Sequence, residues 1–333
     1  MKSRLFGSLL AATAAVFIAS PASAEMNLKF TSAAPTNTPW AAHFNDIAES
    51  VGDISNGGIK INLFNGNQLG NEQDTIRQVV RGRIHMGGFS NTAASLIVPE
   101  IALLAAPYLW DNTAQADCAL DNYLLPYFQK PFEQKGLIIL GWTEVGYMGY
   151  ASKSPIENPA AMIGKKIRVA PTKASSIAAT AFGANSVVLP IPDVASGLQT
   201  GLVEGADLPA LLFASMGFAK IAPNWTASNH SHQVGMVLMS KKVWKKLSKE
   251  QQDQIMSIQI PPVKLRQQVR GATQQLLGKF ASEGGNLIIP TEAQMKEWRA
   301  IAEQSQQEMV KAIGKNAAES YSAIQKAKLA CSP

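Results

Sequence analysis

One arginine at the end of a short apolar strand is the residue of this chain best suited to bind an acid. Arg168 lies in Ile167-Arg168-Val169-Ala170-Pro171, where the β-branched residues predict a strand that ends before the proline. A guanidinium among apolar neighbours is costly to bury unless a carboxylate or phosphate meets it, and its planar fork fixes such a ligand in one orientation. The local sequence leaves two interpretations open, an anion anchor in a cleft and a solvated side chain at a strand end.

Other polar and aromatic side chains near predicted strand ends are further candidates for ligand contact. They are Ser90, Asn91, Thr92, Trp142, Glu144, Tyr147 and Asp207. The two acids can accept hydrogen bonds from an amino or hydroxyl group, but both also fit ordinary solvated acids. The two aromatic side chains can stack on a ring, although aromatic residues at strand ends more often belong to the core.

An exported enzyme is the competing class, and the sequence gives it little support. No Gly-x-Ser-x-Gly stretch supplies a nucleophile, and no glycine-rich loop precedes a helix as phosphate binding requires. His230-Ser231-His232 offers two metal ligands without a nearby third, so a surface or loop pair is the favoured interpretation. We therefore expect no catalytic residues, no metal and no cofactor.

The N-terminus has the order of a secretory signal peptide. Lys2 and Arg4 precede an apolar run from 9 to 18, and Pro21-Ala22-Ser23-Ala24 places small residues before a cleavage point. The run is too short to span a bilayer. We expect cleavage after Ala24 and a periplasmic product, with a retained amphipathic anchor as the alternative.

The charge balance favours a small acidic ligand over nucleic acid. The formal net charge is +6, and Lys2 and Arg4 contribute two of these charges, which leaves +4 after the predicted cleavage. The remaining Lys and Arg residues are dispersed among acids, so they form no track for phosphates. Cys118 and Cys331 are the two cysteines, and in an oxidising compartment we expect them to form a disulfide, with two free thiols as the alternative.

Alternating strands and amphipathic helices predict an α/β chain in two lobes. Residues 26–89 read β-α-β-α-β, with strands at 26–31, 59–64 and 84–89, and a second βα series begins at Lys166. Strands at 137–142 and 234–239 cross between the lobes, so we expect a hinged clamshell with long C-terminal helices. The expected lobes are 25–145 plus about 234–272, and about 146–233 plus 273–333. Pro261-Pro262 requires a kink or break among the C-terminal helices.

Four stretches in order resemble the solute-binding proteins of TRAP transporters, the DctP-like family. They are 64–70 (FNGNQLG), 98–110 (VPE followed by APYLW), 155–169 (PI followed by MIGKKIRV) and 198–205 (LQTGLVEG). The resemblance spans nearly the whole chain after the signal segment. It implies a two-lobe periplasmic binding protein that closes on an organic acid and delivers it to a small and a large membrane permease subunit. It also implies that Arg168 binds the ligand carboxylate.

Three departures from the family pattern bear on the ligand. Met148 stands where many members have a second arginine, Leu208 where many have an asparagine, and Ile191 where an aromatic residue is common. An unpaired buried hydroxyl costs roughly 1–3 kcal/mol, and a second carboxylate without an arginine costs more. We therefore expect a monocarboxylate with an apolar or aromatic body, unless polar groups elsewhere compensate. A binding protein for an ABC importer or a sensor remains the alternative.

Overall fold

A mixed sheet runs through both halves of the molecule, and two long strands join the halves. The computed structural model describes residues 25–257, 262–314 and 316–332. The strands are β1 (Met26–Ser32), β2 (Ile59–Phe64), β3 (Met86–Ser90), β4 (Leu137–Ser152), β5 (Lys166–Val169), β6 (Asn185–Val188), β7 (Gly205–Pro209), β8 (Asn224–Thr226), β9 (His232–Ser240) and β10 (Asn286–Ile288). Their order is β2-β1-β3-β9-β4-β7-β5-β6, with β8 pairing both β4 and β10.

Helices cover both faces of this sheet. They are α1 (Pro39–Ile54), α2 (Glu72–Arg81), α3 (Asn91–Ala94), α4 (Thr113–Ala119), α5 (Leu125–Gln134), α6 (Lys173–Ala181), α7 (Val194–Thr200), α8 (Ala210–Ser215), α9 (Lys241–Trp244), α10 (Lys249–Ser257), α11 (Pro262–Ser282), α12 (Glu292–Ile313) and α13 (Ala317–Ala330). Short 3-10 segments include Pro99–Ala105 and Ile191–Asp193.

The first lobe has the predicted β-α-β-α-β order. β1 pairs in parallel with β2 and β3, as crossover helices require. Asn71 caps α2 by accepting a hydrogen bond from the Asp74 N–H, and Gly82 ends it in the left-handed conformation at φ 78°. These caps hold the N-terminus of α2, and therefore Glu72, beside the end of β3.

The two crossing strands are longer than the sequence indicated. The expected strand at 137–142 continues to Ser152, because β4 pairs with β9 along its first part and with β7 and β8 along its last part. Register shifts between Ile139 and Gly141 and between Glu144 and Gly146 absorb the change of twist. Gly146 has φ 99°, a conformation that a residue with a Cβ rarely adopts.

The second lobe is built on β5, β6 and β7 and is closed by a C-terminal helix. β5 pairs in parallel with both β6 and β7. Trp298 of α12 is fully buried and packs against the rings of Tyr150 and Phe182 at centroid distances of 5.8 and 4.8 Å. A long apolar helix face therefore completes this core.

The last helix returns to the first lobe. The expectation placed all of 273–333 in the second lobe, whereas α13 packs against α4 and the 3-10 segment Pro99–Ala105. The predicted disulfide is confirmed, since Cys118 of α4 and Cys331 are joined by an S–S bond of 2.02 Å. This bridge ties the end of the chain to the first lobe.

Two further expectations concern the segments at 1–24 and 261–262. The predicted signal peptide lies outside the described residues. α10 is described to Ser257 and α11 from Pro262, and the predicted kink or break at Pro261-Pro262 falls partly on Pro261, which lies outside the described residues. Among the helices that the structure describes, none combines the length and apolar character needed to cross a membrane.

Candidate ligand-binding site

A cavity of about 120 Å³ lies between the two lobes, where both crossing strands pass. The first lobe contributes side chains from the end of β1, from α1, from the start of α2 and from the end of β3. The second lobe contributes the end of β5, Ile191, and residues at the β7–α8 junction. The lining residues used below are Trp40, Phe44, Glu72, Phe89, Ser90, Thr92, Glu144, Met148, Arg168, Ile191, Leu212 and Gln233.

Arg168 reaches this cavity from β5 and is 2% exposed. Its Nε donates a hydrogen bond to the Leu189 carbonyl and its Nη1 donates to the Asp207 carbonyl, each at 2.8 Å. Burial lowers the pKa of Arg168 to about 10, and the carboxylates of Asp207 and Glu72 act in the opposite direction. The side chain therefore remains a cation at neutral pH. Two of its five N–H donors are used, so three remain for a ligand.

Apolar side chains form most of the remaining wall. Met148 and Ile191 line the cavity, as do the rings of Trp40 and Phe44. Phe44 sits close to the backbone of β3, because a Cβ at Gly88 would lie 2.2 Å from its ring. The glycine thus makes room for an aromatic wall.

Glu72 is an acid at the cavity that sequence reasoning missed. Its Oε1 accepts a hydrogen bond from the Ser90 N–H at 2.8 Å, and its Oε2 accepts one from Ser90 Oγ at 2.9 Å. Burial raises the pKa of Glu72, while the Ser90 hydrogen bonds and the Arg168 charge oppose the shift. The sequence signal was its position after the Gly70 turn, but an acid in the first turn of a helix is usually read as a partner of the helix dipole.

Glu144 belongs to an ion-pair network behind the cavity. Its carboxylate oxygen Oε1 lies 3.0 Å from His232 Nε2 and accepts from Arg270 Nε at 3.1 Å. Arg270 also forms a bidentate pair with Asp117 at 2.8 Å. Burial acts to raise the pKa of Glu144, but His232 and Arg270 together outweigh it and lower the pKa. Its backbone carbonyl accepts from Trp40 Nε1 at 2.6 Å.

Ser90 and Thr92 also line the cavity, whereas Asn91 points elsewhere. Thr92 Oγ1 donates to Gln233 Oε1 at 3.3 Å. Asn91 and Asp207 instead line a polar cavity of about 20 Å³ next to the ligand cavity. Asp207 Oδ1 lies there, 3.4 Å from His230 Nε2.

Besides Asn91 and Asp207, three more predicted contacts lie outside the lining of the ligand cavity. Leu208 is fully buried in the apolar core, beside its β4 partner Gly149. Trp142 donates from Nε1 to the Leu120 carbonyl and lines a separate apolar cavity of about 340 Å³. The Tyr147 ring packs on His232 at a centroid distance of 5.0 Å.

The histidine pair was expected at the surface or in a loop; His230 lies in the loop before β9 and His232 begins β9, but neither is at the surface. His230 and His232 are both buried, and each faces a different acid, Asp207 and Glu144. Among residues 25–257, 262–314 and 316–332, no group of three or more His, Cys, Asp or Glu side chains is arranged to hold a metal ion.

Comparison with known proteins gives concordant matches. A model of the family described as bacterial extracellular solute-binding protein, family 7, matches residues 30–312. The chain is 30% identical over 220 residues to the 2,3-diketo-L-gulonate-binding periplasmic protein YiaO of Escherichia coli (strain K12), which covers 65% of this chain and 66% of that protein. The alignment thus spans just under two thirds of that relative.

Solved structures match over greater lengths. A TRAP periplasmic solute binding protein from Citrobacter koseri with bound D-glucuronate is 25% identical, with a TM-score of 0.83 over 90% of this chain and 99% of that chain. Another from Desulfovibrio salexigens, with bound orotic acid, is 19% identical, with a TM-score of 0.88 over 92% of this chain and 100% of that chain. At that identity the second likeness shows the fold alone.

Proposed function

The chain belongs to family 7 of the bacterial extracellular solute-binding proteins, the TRAP solute-binding proteins, and from this premise we propose that it captures a monocarboxylate with an apolar or aromatic body. Members of this family bind organic acids and are not enzymes. The observation that carries the proposal is Arg168, a buried cation with three free N–H donors at the edge of an apolar cavity. A carboxylate supplies the acceptors that these donors lack.

The wall around Arg168 supports the apolar body. Met148 and Ile191 offer no hydrogen-bonding group beyond the weakly accepting methionine sulfur. A sugar acid would bury hydroxyl groups against them, each at roughly 1–3 kcal/mol if unpaired. A dicarboxylate would bring a second charge, and Arg168 is the sole basic side chain among the described lining residues. Sugar acids are tested directly because one of the similar solved structures has D-glucuronate bound.

The proposed mechanism is ligand-stabilised closure. Arg168 belongs to the second lobe, whereas Trp40, Phe44 and Ser90 belong to the first. A ligand that contacts both sides favours the closed form by its differential affinity for it. The rotation is expected along β4 and β9, where the register shifts occur.

The proposed setting is the periplasm. Residues 1–24 would direct export, and the closed protein would deliver its acid to a small and a large TRAP membrane subunit. Co-purification of the tagged protein with such subunits, compared with the subunits of an ABC importer, tests this setting.

Ligand class is tested by thermal shift with three sets of acids. Apolar and aromatic monocarboxylates, sugar acids and dicarboxylates are each added to the purified protein, and hits are confirmed by calorimetry. We expect stabilisation mainly by the first set. Stabilisation only by sugar acids or dicarboxylates would overturn the apolar-body proposal while leaving the family assignment intact.

A further inference from the structure

The ligand cavity is lined by two opposite charges that come from different lobes. Arg168 enters from β5, and Glu72 enters from the N-terminus of α2. In the described part of the chain, neither side chain has an ion-pair partner: Arg168 donates only to carbonyl groups, and Glu72 accepts only from Ser90. Both side chains thus keep unused hydrogen-bonding capacity for a ligand.

The second acid at the cavity is different, because its charge is already compensated. Glu144 is held by Arg270 and His232. Glu72 has only the N–H and hydroxyl of Ser90, and a carboxylate can accept about four hydrogen bonds in all. It therefore keeps free acceptor capacity toward the cavity.

A simple carboxylate does not balance these charges. Bound to Arg168, it would neutralise the guanidinium and leave Glu72 as an unpaired negative charge in an apolar, partly enclosed site, which is unfavourable. A ligand that also carries a protonated amine pairs both protein charges. We infer that the site selects zwitterions, in which a carboxylate meets Arg168, a cationic nitrogen meets Glu72, and an apolar body packs against Met148 and Ile191.

This inference rests on the proposed function and narrows it to apolar amino acids and related amino carboxylates. Burial raises the pKa of Glu72, while the Ser90 hydrogen bonds and the Arg168 charge act in the opposite direction. A bound ammonium would add a second nearby positive charge and favour the ionised carboxylate further.

The test compares matched ligands that differ only at the amine. L-leucine is compared with 4-methylpentanoate, and L-phenylalanine with 3-phenylpropionate and 3-phenyllactate, by calorimetry. We expect the amino acid to bind at least about tenfold more tightly than its deaminated analogue.

Two variants separate the role of the Glu72 charge from a structural role. Glu72→Gln should weaken amino-acid binding at least about thirtyfold and strengthen binding of the deaminated acid, which reverses the preference. Glu49→Gln makes the same charge change at an exposed site of α1 and should alter neither affinity.

Each outcome has a distinct meaning. Equal or tighter binding of the deaminated acid to the wild type overturns the inference but leaves the proposed monocarboxylate function standing. If 3-phenyllactate and L-phenylalanine bind equally and both lose affinity in Glu72→Gln, the inferred cationic nitrogen is wrong. Glu72 would then accept a hydrogen bond from a ligand hydroxyl instead. Binding of sugar acids alone overturns both the inference and the proposed function.

Discussion

Replacing Arg168 by methionine should abolish tight ligand binding while leaving the fold stable. Truncating one partner of a buried, hydrogen-bonded charge pair costs about 2–5 kcal/mol, which corresponds to about 30- to 5,000-fold in affinity. Because three N–H donors of Arg168 are free for the ligand carboxylate, we expect the upper part of this range. Calorimetry with the best carboxylate found in the thermal-shift screen measures the change.

The effect of this substitution on stability has two opposing parts. Burial lowers the pKa of Arg168 from its ordinary value to about 10, so keeping it charged costs the fold about 3 kcal/mol. Its removal also leaves the Leu189 and Asp207 carbonyls without their donor, at roughly 1–3 kcal/mol each unless water replaces it. The parts largely cancel, and the melting temperature should move by only a few degrees.

The sign of the pH dependence follows from the lowered pKa. The cost of the charged Arg168 is present at every pH below about 10 and is relieved only as the pH rises above that value, so the stability difference between wild type and Arg168→Met should be the same at pH 7 and 9. Arg168→Lys keeps the charge without the fork and should lose less affinity. Lys166→Met, on an exposed face of the same strand, is the matched control. Unchanged affinity in Arg168→Met would remove the side chain from the site.

Three further perturbations have defined outcomes. Met148→Arg restores a second cation at the cavity, and thermal shift should show new stabilisation by dicarboxylates; if only the melting temperature of the free protein falls, Met148 is too far from the ligand. Reduction of the Cys118–Cys331 bridge, which closes a separation of 213 residues, should lower the free energy of unfolding by about 2–4 kcal/mol without changing affinity; no difference between oxidised and reduced denaturant curves would contradict this. Burial lowers the pKa of His43 from 6.5 to about 4, so stability should fall by up to about 3 kcal/mol as pH decreases across that range; His43→Gln should flatten this slope in urea titrations at pH 7 and 4.5.

Local patterns predicted the elements that depend on neighbouring residues. The alternating runs at 26–31 and 59–64 correspond to β1 and β2, and the strand before Pro171 corresponds to β5. β4 was predicted too short, because glycines such as Gly146 normally mark a strand end. Here the glycine serves a register shift inside a strand that continues to Ser152.

The direction of each side chain was the main obstacle to predicting the site residues from the sequence. In β7, adjacent residues point to opposite faces, so Asp207, Leu208 and Pro209 meet different surroundings. Leu208 enters the core, while Pro209 lines the cavity. A motif match identifies the strand, but a shift of one residue in the alignment places each side chain on the opposite face of the sheet.

Long-range pairing was the second limit. Glu144 was a candidate for ligand contact because of its position on a crossing strand. Its partner Arg270 lies 126 residues away in α11, and Arg270 is itself held by Asp117, 153 residues away. No local pattern indicates that β4, α11 and α4 bring these charged side chains together. From sequence alone, an acid that forms an ion pair therefore cannot be distinguished from an acid that is free to contact a ligand.

Within the part of the chain that the structure describes, Arg168 and Glu72 each form hydrogen bonds only with residues of their own lobe. Arg168 is fixed by carbonyls of Leu189 and Asp207, both in the second lobe, and Glu72 by the N–H and hydroxyl of Ser90, in the first. Neither side chain therefore has to abandon a partner across the cleft when the lobes separate. Closure then depends on the ligand between the lobes. A ligand that pairs only with Arg168 or only with Glu72 leaves the other side chain without a partner, whereas a zwitterion pairs with both. Exchanging Glu72 should consequently change which acid closes the protein.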